Sequence, residues 1–340
     1  MSPGDIRPVE LPANQPKQFY RGGASIAELR GRSAAADFGP EDWVASTTTL
    51  FGREDAGLST LPDGRPLRDA VAADPVSWLG AGHVEVFGAD TALLVKLLDA
   101  GQRLPVHVHP SNEFAETHLG CRHGKTESWI VVGTTGDEPL VYAGFRENVD
   151  AETVARWVSE QDSAAMLESL NPLRVEPGDT VFVPAGLPHA IGEGVFIVEL
   201  QQPTDFSVTL EWDGFLPNAD SGHLGLGYDK ALACVDRSGR AGDLESLVTR
   251  TAGSATGVVN LFSAQADPFF RADRLHVSGS LELDASFAVL VVLEGSGTVG
   301  GLDVRRGSTV VVPHAAGDLV VEGELVAIRC RPPLSPAPRR

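Results

Sequence analysis

Val181-Phe182-Val183-Pro184-Ala185-Gly186-Leu187-Pro188-His189-Ala190 reads as a β-strand that runs into a Gly/Pro turn and ends on a histidine. Two further segments give that histidine a context. Glu127-Ser128-Trp129-Ile130-Val131-Val132 is strand-like and opens on a carboxylate, and His107-Val108-His109-Pro110 carries two imidazoles. Alternate residues of a strand share a face, so His107 and His109 project together. Three imidazole nitrogens and one carboxylate oxygen, from His107, His109, Glu127 and His189, suit a single divalent transition metal. Zinc is the first expectation, and the same donors accept manganese, iron or cobalt.

Around these segments the chain alternates Val-rich runs with turn signals, among 37 glycines and 23 prolines. Residues 80–110, 126–145, 172–212 and 257–332 read as strands. Examples are His83-Val84-Glu85-Val86-Phe87, Ala92-Leu93-Leu94-Val95-Lys96-Leu97-Leu98 and Val195-Phe196-Ile197-Val198-Glu199-Leu200. Helix signals are fewer. Residues 150–158 and 162–170 each open on an aspartate able to cap a helix and keep helical apolar spacing. Residues 228–235 form a third candidate, and a short helix is expected near residues 25–30. Glu113, His118 and His123 read as lying in a loop rich in polar residues.

A weak internal repeat is visible. Glu176-Pro177-Gly178-Asp179-Thr180-Val181-Phe182-Val183-Pro184 resembles Arg305-Arg306-Gly307-Ser308-Thr309-Val310-Val311-Val312-Pro313. Each is a turn feeding a strand that stops at proline. Before the second copy, Leu293-Glu294-Gly295-Ser296-Gly297-Thr298-Val299 reads as a strand-glycine-strand hairpin. Two related β-sandwich or barrel modules follow from this pattern. The expected divisions are a metal-binding domain over residues 1–255 with helical insertions (core about 80–215), a smaller degenerate module over 256–332, and a loose tail over 333–340. Five residues after Pro184 stands His189, whereas five after Pro313 stands Asp318, so the second module reads as structural.

The chain has 340 residues, 42% of them hydrophobic, enough for a large core. No apolar run of about twenty residues marks a membrane span. The start, Met1-Ser2-Pro3-Gly4-Asp5, carries no secretory pattern. Cys121, Cys234 and Cys330 are odd in number and far apart, which fits a reducing, cytoplasmic setting and no disulfide framework. The net charge of −19 disfavours nucleic acid, and says little about a small anionic ligand, because a local cationic cluster overrides the global sign.

Four motifs carry a resemblance. They are Leu104-Pro105-Val106-His107-Val108-His109-Pro110, Gly124-Lys125-Thr126-Glu127-Ser128-Trp129, the run from Pro177 to Gly192 with its Pro-Ala-Gly-x-x-His-Ala-x-Gly, and Glu199-Leu200-Gln201-Gln202-Pro203-Thr204-Asp205. Through them the sequence resembles the cupin superfamily and, more closely, the type I mannose-6-phosphate isomerases in their short bacterial form. The likeness extends over residues 40–330 and is strong over 104–205. It implies a mainly β fold of cupin (double-stranded β-helix) barrels with a few inserted helices. It also implies one zinc ion per chain, held at the positions of His107, His109, Glu127 and His189, and a small sugar or sugar phosphate as ligand. The implied reaction is the interconversion of mannose 6-phosphate and fructose 6-phosphate.

The remaining roles follow from chemistry. Aldose–ketose isomerisation moves hydrogen between C1 and C2 of an open-chain sugar, and needs a base and a stabiliser of negative oxygen. Lys125, two residues from Glu127, is the candidate stabiliser or proton donor. Glu199 is the candidate base, and Asp205 a candidate for ring opening. Against these, Lys125 can serve only as an ion-pair partner, Glu199 as a strand carboxylate and Asp205 as a turn cap. Trp129 reads as core.

One departure stands out. The resembled family usually places an active-site arginine four residues after the position of Asp205, where this chain has Thr209. Threonine carries no charge to stabilise an enediolate. Arg103, Arg122 and Arg146 are the candidate substitutes by sequence proximity. Two alternatives stay open beside the leading reading: an isomerase of a different or unphosphorylated sugar, and a cupin that binds sugar without turnover. The sequence is silent on oligomeric state.

Overall fold

In a computed structural model of the chain, residues 7–33, 37–137, 139–250 and 256–334 are described. The mainly β reading holds: strands assemble into three sheets with antiparallel pairing. One six-stranded sheet runs in the order Val248–Arg250, Asp179–Val183, Glu127–Thr134, Val195–Gln201, Leu94–Asp99, Glu41–Val44. A five-stranded sheet runs Val208–Thr209, His107–Val108, His189–Ile191, Leu140–Phe145, Leu170–Arg174. The two face each other and enclose an interior.

The central strands of the six-stranded sheet, Leu94–Asp99 and Val195–Gln201, are buried at every position. That is why they read as continuous apolar runs rather than alternating ones. Each run carries an internal charge, and the register sets Glu199 opposite Lys96. Burial of two charges in paired strands is tolerated when each finds a partner, and this pair carries over into the site.

The third sheet has seven strands, including the thirteen-residue partners Arg271–Leu283 and Leu319–Arg331. It has its own apolar cluster, with Leu275, Leu290, Val310 and Val321 at its heart. The amino-terminal strand Val9–Glu10 pairs with Thr309–Val312, tying the start of the chain into this sheet. The two repeat copies form equivalent structures: Asp179–Val183 and Thr309–Val312 each end at a proline.

Two expected helices start at their aspartate caps. Asp150 accepts the Thr153 amide at 2.7 Å and starts Ala151–Glu160, whose Val154 and Val158 are buried. Asp162 caps Ser163–Ser169 in the same way. A short helix covers Ser25–Leu29. The segment after residue 228 is one α turn, Tyr228–Ala231, continued by a 3-10 turn, Leu232–Cys234.

Three expectations need correction. His83-Val84-Glu85-Val86-Phe87 is not a strand but most of the helix Ala81–Phe87. Glycines at both ends, Gly80 (φ 86°) and Gly88 (φ 67°), bound it. The His83 and Phe87 rings, one helical turn apart, meet at 4.8 Å. Apolar alternation over five residues cannot separate the two structures.

The supposed polar loop contains the helix Asn112–Leu119, capped by the Ser111 hydroxyl and closed by Gly120 in the left-handed region (φ 64°). The hairpin expected at Gly295 and Gly297 is absent, and both lie inside the unbroken strand Ala288–Val299. A Cβ at either position would fall 1.9 Å from a carbonyl oxygen of the neighbouring strand. Those glycines therefore permit close strand approach, and the turn comes at Gly300 and Gly301. Of the expected loose tail, Pro333 is buried and residues 335–340 lie outside the described residues. Among the described residues no helix is long and apolar enough to cross a membrane.

Candidate metal centre and its cavity

The two facing sheets bring the four sequence-selected ligands together. His107 and His189 are direct partners across the five-stranded sheet. His109 follows the same strand, two residues on, and its ring lies 5.0 Å from that of His107. Ligand atoms of His107, His109 and His189 all lie within 4.8 Å of one another. Glu127, from the opposite sheet, closes the group: its Oε2 is 3.2 Å from His109 Nε2 and its Oε1 is 3.3 Å from His189 Nε2. All four are buried.

The hydrogen bonds fix which nitrogen faces inward. Nδ1 of His107, His109 and His189 each sits 2.8 Å from a backbone carbonyl, those of Pro105, Phe206 and Leu187. A carbonyl only accepts, so each Nδ1 carries the proton and each Nε2 presents a lone pair. The inward Nε2 atoms of His109 and His189, and Glu127 Oε2, are buried without a hydrogen-bond partner. Lone pairs facing a carboxylate at this distance repel unless something positive lies among them. A divalent cation resolves that conflict, and carbonyl-oriented imidazoles are how metal sites hold their ligands. The group could hold a metal ion.

Electrostatics agree. Burial pushes the His107 imidazole well below its usual range, and the neighbouring imidazoles add to it. Burial and the Lys125 ammonium push His109 down to about 3. Both are neutral and ligand-competent near neutral pH. Burial opposes charge on Glu127, yet Lys125 and His109 outweigh it and hold the carboxyl well below the usual range. Trp129, expected as core, is fully buried, and its Nε1 also donates to Glu127 Oε1 at 3.0 Å.

The centre opens into a cavity of about 400 Å³, within the range of small-molecule sites. Lys125 lines it, with Nζ 3.3 Å from Glu127 Oε2. Glu199 lines it from the six-stranded sheet. Burial and the Glu127 charge raise its carboxyl to about 7, and its Oε1 has no hydrogen-bond partner. Asp205 lies at the cavity edge, and its Oδ2 accepts the Phe51 amide at 3.1 Å.

Sequence reasoning missed a second buried network. Lys96 Nζ lies 3.3 Å from Glu41 and 3.6 Å from Glu199, over the Trp43 ring. Glu41 in turn accepts from Gln18 at 2.9 Å, from Trp43 Nε1 at 2.6 Å and from the Tyr20 hydroxyl. The available signal was the lone lysine inside Leu93-Leu94-Val95-Lys96-Leu97-Leu98, because a lysine in a buried apolar strand requires a partner.

Thr209 lines the cavity and pairs with His107 in register. None of the three arginines proposed to compensate for it reaches that space. Arg103 is locked to Glu211 by two bonds of 2.7 and 2.6 Å. Arg122 lies over Phe87 on the surface, and Arg146 donates to the Leu170 carbonyl. His118 and Glu113 are exposed, whereas His123 is buried and sits 2.8 Å from Asp90. Among the described residues no second cluster of metal-ligating side chains appears, including around Asp318, whose Oδ1 accepts the Ala285 amide.

Solved structures with the same architecture include mannose-6-phosphate isomerases. The crystal structure of the enzyme from Bacillus subtilis superposes with a TM-score of 0.72 over 96% of this chain and 99% of that one, at 20% identity. In sequence, mannose-6-phosphate isomerase ManA of Bacillus subtilis is 28% identical over 314 residues, covering 86% of this chain and 92% of the relative. The mannose-6-phosphate isomerase of Streptococcus mutans is 29% identical over 264 residues, covering 75% and 79%. In sequence and in fold the chain is similar to the mannose-6-phosphate isomerases. No family model matches it. The chain shares the cupin fold of those structures, with the imidazole cluster inside its barrel.

Proposed function

We propose that this protein is a zinc-dependent aldose–ketose isomerase that interconverts mannose 6-phosphate and fructose 6-phosphate in the cytoplasm. The observation that carries the reading is the set of orphaned lone pairs on His109, His189 and Glu127, beside a cavity that Glu127, Lys125 and Glu199 line. The names of the curated relatives support the choice of substrate.

His107, His109, Glu127 and His189 would hold the zinc. Bound there, it would supply a Lewis acid that draws electron density from the sugar carbonyl. The chain's own groups do the rest. Glu199, as the carboxylate, takes the proton from C2 of the open-chain aldose. The C–H electron pair becomes the C1–C2 double bond of an enediolate, and the carbonyl electrons move to O1. Lys125 faces that developing charge and stabilises it. Glu199, its proton exchangeable with solvent at this stage, then protonates C1 while the O2 proton passes to O1 and the O2 electrons form the C2 carbonyl, which gives the ketose. A carboxyl raised to about 7 suits both directions, since it is near half-protonated at neutral pH. Asp205, at the cavity edge, is placed to assist ring opening.

A second reading, an isomerase of an unphosphorylated sugar, is favoured by one observation: Thr209 stands uncharged against the metal-side strand. A substrate panel separates the two. Zinc-loaded protein is incubated with fructose 6-phosphate, fructose, and other free hexoses and pentoses, and products are separated by chromatography. Mannose 6-phosphate formed from fructose 6-phosphate, with free sugars inert, supports the proposal. Turnover of a free sugar alone would transfer the assignment to the second reading.

A further inference from the structure

Four cations line the cavity: Lys96, Lys125, Lys17 and Arg53. The inner two are engaged, Lys96 between Glu41 and Glu199, and Lys125 on Glu127. Lys17 and Arg53 are exposed at the rim, and among the described residues neither has a carboxylate partner. In a chain of net charge −19, two unpaired cations on one cavity rim are a local reversal of sign that favours an anion.

They are also held together. Arg53 Nη1 donates to the Lys17 carbonyl at 3.3 Å, and the Lys17 ammonium lies 5.7 Å from the Phe38 ring centre. The turn that presents Arg53 is closed by its own amide on the Leu50 carbonyl at 3.0 Å. That turn is docked onto the metal-side motif by the Phe51 amide on Asp205. The segment that ends in uncharged Thr209 thus secures a loop that delivers a guanidinium from elsewhere in the chain.

We propose that Lys17 and Arg53 are the anchor for the phosphate of the sugar substrate, binding it at the rim while the C1–C2 end lies at the imidazole cluster. The inference rests on the isomerase reading for its choice of ligand. Arginine presents a planar fork that matches phosphate oxygens, and lysine adds a mobile point charge. Deep in the cavity neither inner lysine is free for that task.

The test uses Lys17→Gln, Arg53→Gln, the double variant, and Arg122→Gln as a surface control, all zinc-loaded. Fructose 6-phosphate and free fructose are titrated calorimetrically, and kcat and KM are measured for fructose 6-phosphate. Each charge-assisted contact removed should weaken fructose 6-phosphate binding about 10- to 100-fold. The loss should appear in KM more than in kcat, since the phosphate contacts are alike in ground and transition states. Affinity for free fructose and the zinc content should not move.

Unchanged fructose 6-phosphate affinity in the double variant overturns the anchor, and so does a wild type that binds fructose 6-phosphate no better than fructose. Binding that depends on Lys17 and Arg53 without turnover sustains the anchor and sinks the isomerase reading. Turnover unaffected by the substitutions does the reverse.

Discussion

Replacing Lys96 by methionine isolates the buried network behind the proposed base. Lys96 is almost wholly buried, 3.3 Å from Glu41 and 3.6 Å from Glu199. At an effective dielectric of about 20 each pair is worth roughly 5 kcal/mol of gross attraction. Breaking a buried pair from one side costs about 3–5 kcal/mol, because the partner charge is stranded. Glu41 retains donors from Gln18, Trp43 and Tyr20, and Glu199 can take up a proton, so the low end, about 3 kcal/mol, is expected.

Unfolding entropy of about 2.1 cal/mol/K per residue gives roughly 0.7 kcal/mol/K for a chain of this length. The apparent Tm should therefore fall by about 4 °C. The deficit should shrink in acid. The folded-state carboxyl of Glu199 stands near 7, above its ordinary value, so its ionisation weakens the fold as pH rises from the unfolded value toward 7. Without Lys96 the carboxyl rises further, by about 1–3 units, and a protonated Glu199 needs no counter-charge. Thermal melts by circular dichroism at pH 5.5 and 8 read both effects. The acid limb of kcat/KM should move up by the same interval. An unchanged Tm at both pH values, with an unmoved acid limb, would refute the account of this network.

Wild-type kcat/KM for fructose 6-phosphate should fall as pH drops through about 7, as Glu199 gains its proton among Glu127, Glu41, Lys96 and Lys125. In Glu199→Gln the rate should drop about 100-fold or more while zinc stoichiometry stays at the wild-type value. Loss of zinc instead would make Glu199 part of the metal set. Glu127→Gln should lower zinc affinity by at least about 100-fold, read by competition with a chromophoric chelator. Gly297→Ala places a Cβ 1.9 Å from the Glu322 carbonyl. It should cost about 1–3 kcal/mol, seen as a lower Tm with the kcat of the surviving folded protein unchanged. An unaltered Tm would mean that the two strands separate easily.

The buried cluster that could hold a metal ion is legible in sequence because its information is local. The His107 and His109 alternation, the Pro-Ala-Gly turn before His189 and the position of Glu127 at a strand start each fix a side-chain direction within a few residues. What was not legible depends on distant partners. Lys96 makes sense only beside Glu41, 55 positions earlier, and Arg53 stands at the cavity rim on a turn whose Phe51 amide bonds Asp205. Proximity in sequence to the metal strands selected Arg103, Arg122 and Arg146, but strand neighbours point away as often as toward a site. The helix Ala81–Phe87 is hidden in the sequence because five alternating residues fit both periods, although Gly80 and Gly88 mark its ends. Gly295 and Gly297 have the sequence signature of a turn, whereas the demand on them is steric, from the facing strand.

The central claim, metal-dependent proton transfer at C2, is met most directly by one NMR experiment. Chelator-stripped protein is mixed with fructose 6-phosphate in D2O, and zinc is then added to one equivalent. The account predicts no change before zinc, then mannose 6-phosphate bearing deuterium at C2. A protein that demonstrably binds one zinc per chain, yet forms no mannose 6-phosphate and exchanges no carbon-bound hydrogen, would contradict it.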